Sequence, residues 1–566
     1  MEKRIVECVP NFSEGRDKAV IRQITSAIES SGGVKLLDVD PGEATNRTVV
    51  TFVGSPEAVV EAAFAGVKRA AELIDMRRHK GAHPRMGATD VLPLIPICGI
   101  TLAECAELAR KLAERIAAEL HVPTYCYEAA AFTPERRNLA VCRAGEYEAL
   151  PEKLAHKETA PDFGARPFDD GVARTGATTV GARDFLIAVN FNLNTTSTRR
   201  ANAIAFDVRE KGRPVREGNP ITGKVVKDAA GNPVMQPGTL PATKAIGWFI
   251  EEYGIAQVSM NITDIATTPL HVAFDEVCRK ADARGVRVTG TEIVGLVPKR
   301  ALIEAGKYFL RKQRRSTGIA EQEIVRIAVR SMGLDDLKPF DPAEKVIEYL
   351  LEAEDKQKRL IDMTCKGFAK ETASESPAPG GGSIAAYMGA LGAALGTMVA
   401  NLSSHKAGWD DRWEEFSDWA ERGQAVLAEL LHLVDEDTAA FNRIMAVFAM
   451  PKSTDEEKAA RSAALQEATL YATEVPLRTM KAASRVFEIV RAMASEGNPN
   501  SVSDAGVGAL AARSAVLGAC LNVKINAAGL KDRAVAEALI AEADALAAEA
   551  VRLEAEVLQI VESKIG

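Results

Sequence analysis

The chain is poor in histidine and in aromatic residues, and it has no paired-cysteine motif. With seven histidines in 566 residues, any cluster of imidazoles draws attention. The eight cysteines (8, 98, 105, 126, 142, 278, 365 and 520) are scattered and no CxxC occurs, which argues against structural zinc and against a redox dithiol. Reduced, mostly buried thiols of a cytoplasmic protein are expected instead. No basic tract or basic–aromatic module accompanies the net charge of −8, so no nucleic-acid partner is expected. The opening "MEKRIVECVPNFSEGRD" lacks the apolar stretch of a secretory leader. Long uncharged runs are scarce too. One, Ile384 to Ala400, has 17 residues, the lower edge for crossing a bilayer. Its many Ala and Gly residues gain little from lipid. A buried helix is expected there, with Gly389, Gly392 and Gly396 admitting close neighbours, and no membrane partner.

What is present is a globular composition, 47% hydrophobic and 26% charged, on a chain too long for one core; about three or four folding units are expected. The first half alternates strands and helices. "IVECVPNF" reads as a strand, "DKAVIRQITSAIES" as a helix, and "GVKLLDVD" and "NRTVVTFVG" as strands. Ser55 and Pro56 open the next helix as N-cap and first position. "VLPLIPICGI" is a strand, and Thr101 with Glu104 forms a capping box for the helix after it. That β-α-β-β-α-β order is a split βαβ, ferredoxin-like unit. It recurs from "FLIAVNFNLN" through "TRRANAIAFDVREK", "KAIGWFIEE", "AQVSMNITD" and "LHVAFDEVCRKADAR" to "VRVTGTEIVGLV". Two such units side by side leave a cleft between them. The connector Lys157 to Arg183, rich in Gly, Pro and Asp, reads as a ligand-covering loop. The segment around "AAGNP" reads as a hairpin turn within 212–238. After about Leu337 the strand pattern ends and Ala-rich amphipathic stretches run to Gly566. The expected divisions are an N-subdomain (1–182), a C-subdomain (183–335), a linker (336–343) and an all-helical bundle (344–566).

Several residues suit chemistry. In "HKGAHPRMGATD", His79 and His83 lie four apart, a metal-ligand spacing if both sit on one helix. Gly81 and Pro84 break such a helix and no third ligand is adjacent, so no metal is expected. A catalytic imidazole is the sharper reading and ordinary loop hydrogen bonding the plainer one. Arg77, Arg78 and Arg85 suit carboxylates, and Asp40, ending a strand, suits an imidazolium. In the second half, Gly380, Gly381 and Gly382 precede the apolar helix, either as an anion-holding N-terminus or as a hinge. The positions Leu427, Leu430, Val434, Asp437, Phe441, Ile444 and Phe448 form a helical stripe with Asp437 as its one charged member. Burial would raise the pKa of that carboxyl and suit it to acid–base work, or it could bridge helices. Asp435 and Glu436 fall off the stripe and read as solvated; Asp504 reads as a helix cap.

The blocks "VECVPNFSEG", "LLDVD", "TNRTVVTFVG", "HPRMGATD" and "GEYEALP" resemble glutamate formimidoyltransferase. "SPAPGGGSIAA", "VDEDTAAF" and "SDAGVGALAARSA" resemble formimidoyltetrahydrofolate cyclodeaminase. Together, over nearly the whole chain, they resemble the bifunctional formimidoyltransferase-cyclodeaminase family. The resemblance implies transfer of a formimino group from N-formimino-L-glutamate to N5 of tetrahydrofolate during histidine breakdown. Ring closure onto N10 then releases ammonia and leaves 5,10-methenyltetrahydrofolate. It implies a catalytic His83 oriented by Asp40, a catalytic Asp437, and a folate-contacting loop over Gly164 to Gly176. In that loop Gly164, Ala165, Arg166, Pro167, Phe168, Gly171, Thr175 and Gly176 are the candidate contacts. The loop is three residues longer here than the family's form and carries Asp169 and Asp170. A homo-oligomer is implied as well; a polyglutamylated form of tetrahydrofolate is left open. Two other readings stand beside this one: an N-formylglutamate formyltransferase fused to a methenyltetrahydrofolate cyclohydrolase, and a folate-binding scaffold with one inactive half.

Overall fold

A computed structural model describes residues 4–42, 46–81, 85–218, 222–354 and 359–565. His83 lies outside the described residues. Contacts divide the chain into two compact units, Met1–Ala301 with Met332–Glu352, and Leu302–Ser331 with Ala353–Gly566.

The first unit begins with β1 (Ile5–Cys8) and β2 (Asn11–Phe12), two halves of one interrupted strand. Then come α1 (Lys18–Ser30), β3 (Val34–Gly42), β4 (Arg47–Gly54), α2 (Pro56–Leu73), β5 (Thr89–Cys98), α3 (Leu102–Leu120) and β6 (Thr124–Glu128). Short helices α4 (Leu139–Cys142), α5 (Leu150–Ala155) and α6 (Asp170–Thr175) lead into β7 (Thr178–Ala182). Asp17 and Ser55 cap α1 and α2, and Thr101 and Glu104 make the reciprocal capping box of α3. The strands lie in the order β3-β4-β1/β2-β5-β7-β6. The antiparallel part is the expected split βαβ arrangement, with β6 and β7 added in parallel beyond β5.

Helix α6 and strand β7 correct the reading of Lys157 to Arg183 as a loop throughout. Asp169 caps α6, and β7 is buried along its whole length between β5 and β6. A short strand buried on both faces has no polar alternation to announce it.

The second subdomain contains β8 (Ile187–Leu193), α7 (Thr198–Val208), the small ribbon β9 (Arg213–Pro214) with β10 (Met235–Gln236), β11 (Thr243–Ile250), β12 (Ile255–Ile262), α8 (Leu270–Asp282) and β13 (Val288–Val294). Its order β11-β12-β8-β13 repeats the antiparallel topology of the first. The hairpin turns at Asp228–Asn232, where Asp228 N–H donates to the Asn232 carbonyl at 2.8 Å and Gly231 takes a φ of 84°.

The chain continues through α9 (Lys299–Lys312), α10 (Glu321–Met332), α11 (Pro342–Lys345) and α12 (Ile347–Glu354), which fall partly in one unit and partly in the other. The compact units do not follow the sequence divisions at 335 and 344. Residues 302–331 group with the helical unit, where Ser417 Oγ accepts from Thr317 N–H at 3.0 Å.

The helical unit adds α13 (Cys365–Thr372), α14 (Gly381–Ser404), α15 (Trp413–Phe448), α16 (Asp455–Glu496), α17 (Val502–Ala527) and α18 (Arg533–Ile565). Helix α14 packs against α15, α16 and α17 through Ala386, Ala390 and Ala393, with most of its residues buried. Its glycines permit that approach: a Cβ on Gly392 would lie 2.9 Å from the Gly508 carbonyl oxygen, and one on Gly396 3.0 Å from Ile489. Among the described residues two helices, Gly381–Ser404 and one reaching from Pro499 to Ala527, are long and apolar enough to cross a membrane by composition.

Candidate active sites

Alternation along β1 and β4 separates two faces of the first sheet. Val6, Cys8, Val50 and Phe52 face the helices and form the core. The opposite positions Glu7, Val49 and Thr51 line a cavity of about 500 Å³, with Asp38 and Asp40 from β3. Ala188, Val294 and Leu296 from the second subdomain close its other side. The cleft expected between the two repeats is therefore present. Asp40 lies opposite Val49 in the β3–β4 ladder and is exposed at the cavity.

The "HKGAHPRMGATD" stretch is tied down on both sides of the residues not described. His79 is buried and its Nε2 lies 2.8 Å from the Asn46 carbonyl oxygen. A carbonyl only accepts, so the ring proton sits on Nε2. Burial pulls the pKa of this imidazole down, and His79 is a neutral loop clasp. The Asn46 side chain donates to the Lys80 carbonyl and accepts from Gly15 N–H, both at 3.0 Å. Arg85 is engaged by Glu146 and Glu148, with its Nη1 2.7 Å from Glu148 Oε2. The block "GEYEALP" thus braces the histidine motif. Arg77 is likewise spent, on Asp75 and Asp170.

Asp90, the last residue of that motif, is 1% exposed and was not singled out by the sequence. Its Oδ1 accepts from Met86 N–H at 2.9 Å. Its Oδ2 accepts from Arg143 at 2.8 Å and from Arg47 at 3.0 Å. The Arg47 Nε also donates to Asn11 Oδ1 at 2.9 Å.

The candidate folate loop is zipped to the same motif. Ala88 N–H donates to the Thr175 carbonyl at 2.7 Å, and Ala177 N–H to the Met86 carbonyl at 3.1 Å. Gly176 and Gly87 lie back to back, and a side chain on either would strike the other strand's backbone. Phe168 packs edge-on against Tyr147, and Arg166 is bonded to Asp169. Gly164, Ala165, Pro167 and Gly171 are exposed, and Thr175 is half-buried.

At the far end of the cavity, Glu7 is 4% exposed and burial pushes its carboxyl pKa up to about 7. Arg183 opposes that rise and Glu348 adds to it. Between about pH 4.5 and 7 the folded chain keeps a proton that the unfolded chain has lost. Folding stability therefore declines as pH rises through that window and levels off above it, by an amount on the order of 3 kcal/mol. Glu7→Gln is expected to remove this decline. Calorimetry should show a higher unfolding temperature than the parent at pH 8 and a matching one near pH 4.5; parallel curves would refute the assignment.

In the helical unit, α14 begins at the glycine run and points its N-terminus at α15. Ser383 Oγ donates to Asp437 Oδ2 at 3.0 Å. A Cβ on Gly382 would overlap the Asp437 carboxylate. Gly382, the last residue of the run, thus leaves room for that carboxylate at the helix start. Burial raises the Asp437 pKa and its bonds to Ser383 oppose the rise. Thr438 lies 3.4 Å from the Ser383 hydroxyl.

The stripe continues less simply than expected. Leu430 and Val434 are buried, whereas Phe441 and Phe448 are exposed. Two readings need correction. Asp435 is not merely solvated, since its Oδ1 accepts from Leu360 N–H at 2.6 Å. Glu436 lies 3.5 Å from both His432 and Arg478. Asp504 lies in the first turn of α17 rather than at its cap, which is Ser501. Among the described residues no three His, Cys, Asp or Glu side chains are grouped to share a metal ion.

Comparison with known proteins matches the chain in three consecutive stretches. Residues 5–183 match the formiminotransferase domain, N-terminal subdomain; 188–352 match the formiminotransferase domain; 364–545 match formiminotransferase-cyclodeaminase. The formimidoyltransferase-cyclodeaminase of Mus musculus is 43% identical over 529 residues, 94% of this chain and 93% of its own length. The glutamate formimidoyltransferase of Streptococcus pyogenes serotype M1 is 42% identical over 307 residues, 54% of this chain and 93% of its own. The methenyltetrahydrofolate cyclohydrolase of Methylorubrum extorquens is 40% identical over 202 residues, 36% of this chain and 97% of its own.

Proposed function

We infer how the two sites work from the premise that this chain belongs to the formimidoyltransferase-cyclodeaminase family. The chain is a bifunctional folate enzyme. Its first unit transfers the formimino group of N-formimino-L-glutamate to N5 of tetrahydrofolate, and its second closes 5-formimidoyltetrahydrofolate to 5,10-methenyltetrahydrofolate with loss of ammonia. This fits a step in histidine degradation.

In the first step N5 attacks the formimino carbon. His83 takes the N5 proton and returns it to the glutamate nitrogen as the carbon–nitrogen bond to glutamate breaks. Asp40, exposed at the cleft, orients the imidazole and balances its charge. The loop Gly164 to Gly176, joined to the motif through Gly87 and Gly176, contacts the folate. In the second step N10 attacks the same carbon. Asp437 accepts the N10 proton and passes it to the nitrogen that leaves as ammonia. The observation that carries this reading is the Asp437 carboxylate, desolvated yet anchored by Ser383 at a glycine-lined helix start. No step calls for a metal.

The test is one cuvette. Purified protein, N-formimino-L-glutamate and tetrahydrofolate should give methenyltetrahydrofolate absorbance and ammonia in equal amounts. No ammonia from that mixture, together with hydrolysis of methenyltetrahydrofolate supplied separately, would replace the second activity with the cyclohydrolase that the M. extorquens relative is named for.

A cytoplasmic location is supported by the free thiols of all eight cysteines. A homo-oligomer is supported by Leu521 and Ile525, 69% and 72% exposed on α17. Light scattering that returned a single chain of 60.6 kDa would overturn the oligomer. Whether a polyglutamylated folate is preferred is decided by comparing KM for mono- and polyglutamyl substrates.

A further inference from the structure

We propose that Arg47 and Arg143, braced by the buried Asp90, form the clamp for the α-carboxylate of the formimino donor. The proposal rests on the transferase reading above and names the binding subsite within it.

Two guanidinium groups share one carboxylate oxygen here, Asp90 Oδ2. Both side chains are 14% exposed, against 1% for Asp90. Burial pulls the pKa of Arg47 down to about 10; Asp90 opposes that fall and Arg143 adds to it. The Arg143 Nε is buried and has no hydrogen-bond partner. A buried guanidinium with an unfilled donor, beside a second guanidinium, suits one further anion, and a carboxylate matches the planar fork.

Position selects the ligand. Arg47 lies opposite Gly42 and Val49 opposite Asp40, so Arg47 is two residues along β4 from the Asp40 row. Residues two apart share a strand face and are about 7 Å apart. Asn11, which binds Arg47, is the neighbour of Val49 in that row. The clamp therefore stands on the same helix-free face as Asp40, one step beyond it. In the donor the α-carboxylate carbon is three bonds from the formimino carbon, about 4 Å, which leaves room for a hydrogen bond within that spacing. The side-chain carboxylate is two bonds more distant and overshoots. Arg85, which the sequence also offered for a carboxylate, is held by Glu146 and Glu148.

The experiment compares the parent enzyme and Arg143→Gln with N-formimino-L-glutamate and with its α-carboxamide. Arg47 still pairs Asp90 in this variant, and an unchanged KM for tetrahydrofolate reports an intact first unit; Arg143→Lys serves if Gln unfolds the protein. The expected result is a loss in kcat/KM of about 10- to 100-fold for the glutamate donor, with KM for tetrahydrofolate unchanged. The parent should lose a similar factor on the α-carboxamide, and the variant should lose little more on it, because the two changes remove one interaction. An unchanged kcat/KM in the variant, or losses that multiply on the α-carboxamide, overturn the clamp. A parent enzyme inactive on N-formimino-L-glutamate but active on N-formylglutamate overturns the donor assignment instead. The clamp is then judged by the same pair of comparisons on N-formylglutamate, which carries the same α-carboxylate.

Discussion

Asp437→Asn is expected to lower ammonia release from 5-formimidoyltetrahydrofolate by about 10²–10⁴, the range for losing a positioned acid–base group. Asparagine has the shape of aspartate and an oxygen that still accepts from Ser383 Oγ, so the helix contact survives. It cannot take up or release a proton near neutral pH. The substitution should not unfold the unit: burial raises the Asp437 pKa, so the charged carboxylate destabilises the fold at neutral pH and a neutral amide relieves that cost. Transfer between N-formimino-L-glutamate and tetrahydrofolate should continue at the parent rate. Equal loss of both activities would count against separate sites. Gly382→Ala makes an independent probe, because its Cβ would overlap the Asp437 carboxylate and push it from the Ser383 hydroxyl. Ring closure should fall with that variant too, while Asp437 itself is untouched.

The second large effect belongs to the transferase. His83→Ala should reduce formimino transfer by about 10²–10⁴ and leave ring closure of supplied 5-formimidoyltetrahydrofolate unchanged. Asp40→Asn should also reduce transfer, with a smaller loss, because the imidazole would keep a hydrogen-bond acceptor and lose only its counter-charge. Near-normal transfer by the His83 variant would remove this residue from the mechanism. His79→Ala is the contrast: His79 is a neutral clasp on the Asn46 carbonyl, and its loss should weaken the loop without the pH signature of a missing base. A rate–pH profile of the transfer half-reaction separates the two histidines.

The limits of sequence reading show at particular residues. Ser55, Thr101 and Glu104 announced their helices because capping is local, with donor and acceptor three residues apart. The two sheets were legible because each strand between solvent and core leaves a pattern of period two. β6 and β7 escaped because both faces are covered and the pattern is lost. Asp90 escaped because nothing in "GATD" says that two arginines, 43 residues before it and 53 after it, will share its carboxylate. Asp435 looked solvated because its partner, Leu360 N–H, lies 75 residues away.

Sequence alone determined the repeated ferredoxin-like units, the helical second half, and the selection of Asp437 as the charged member of an apolar stripe. These depend on periodicity and on capping, which act over a few residues. Tertiary structure alone decided what surrounds each group. It showed that Gly382 leaves room for the Asp437 carboxylate, that Arg85 pairs with Glu146 and Glu148 while Arg47 and Arg143 share Asp90, and that Glu7 is buried on the face opposite the helices. Desolvation and pairing set the charge state of these groups, and both depend on chain segments that meet only when the protein has folded.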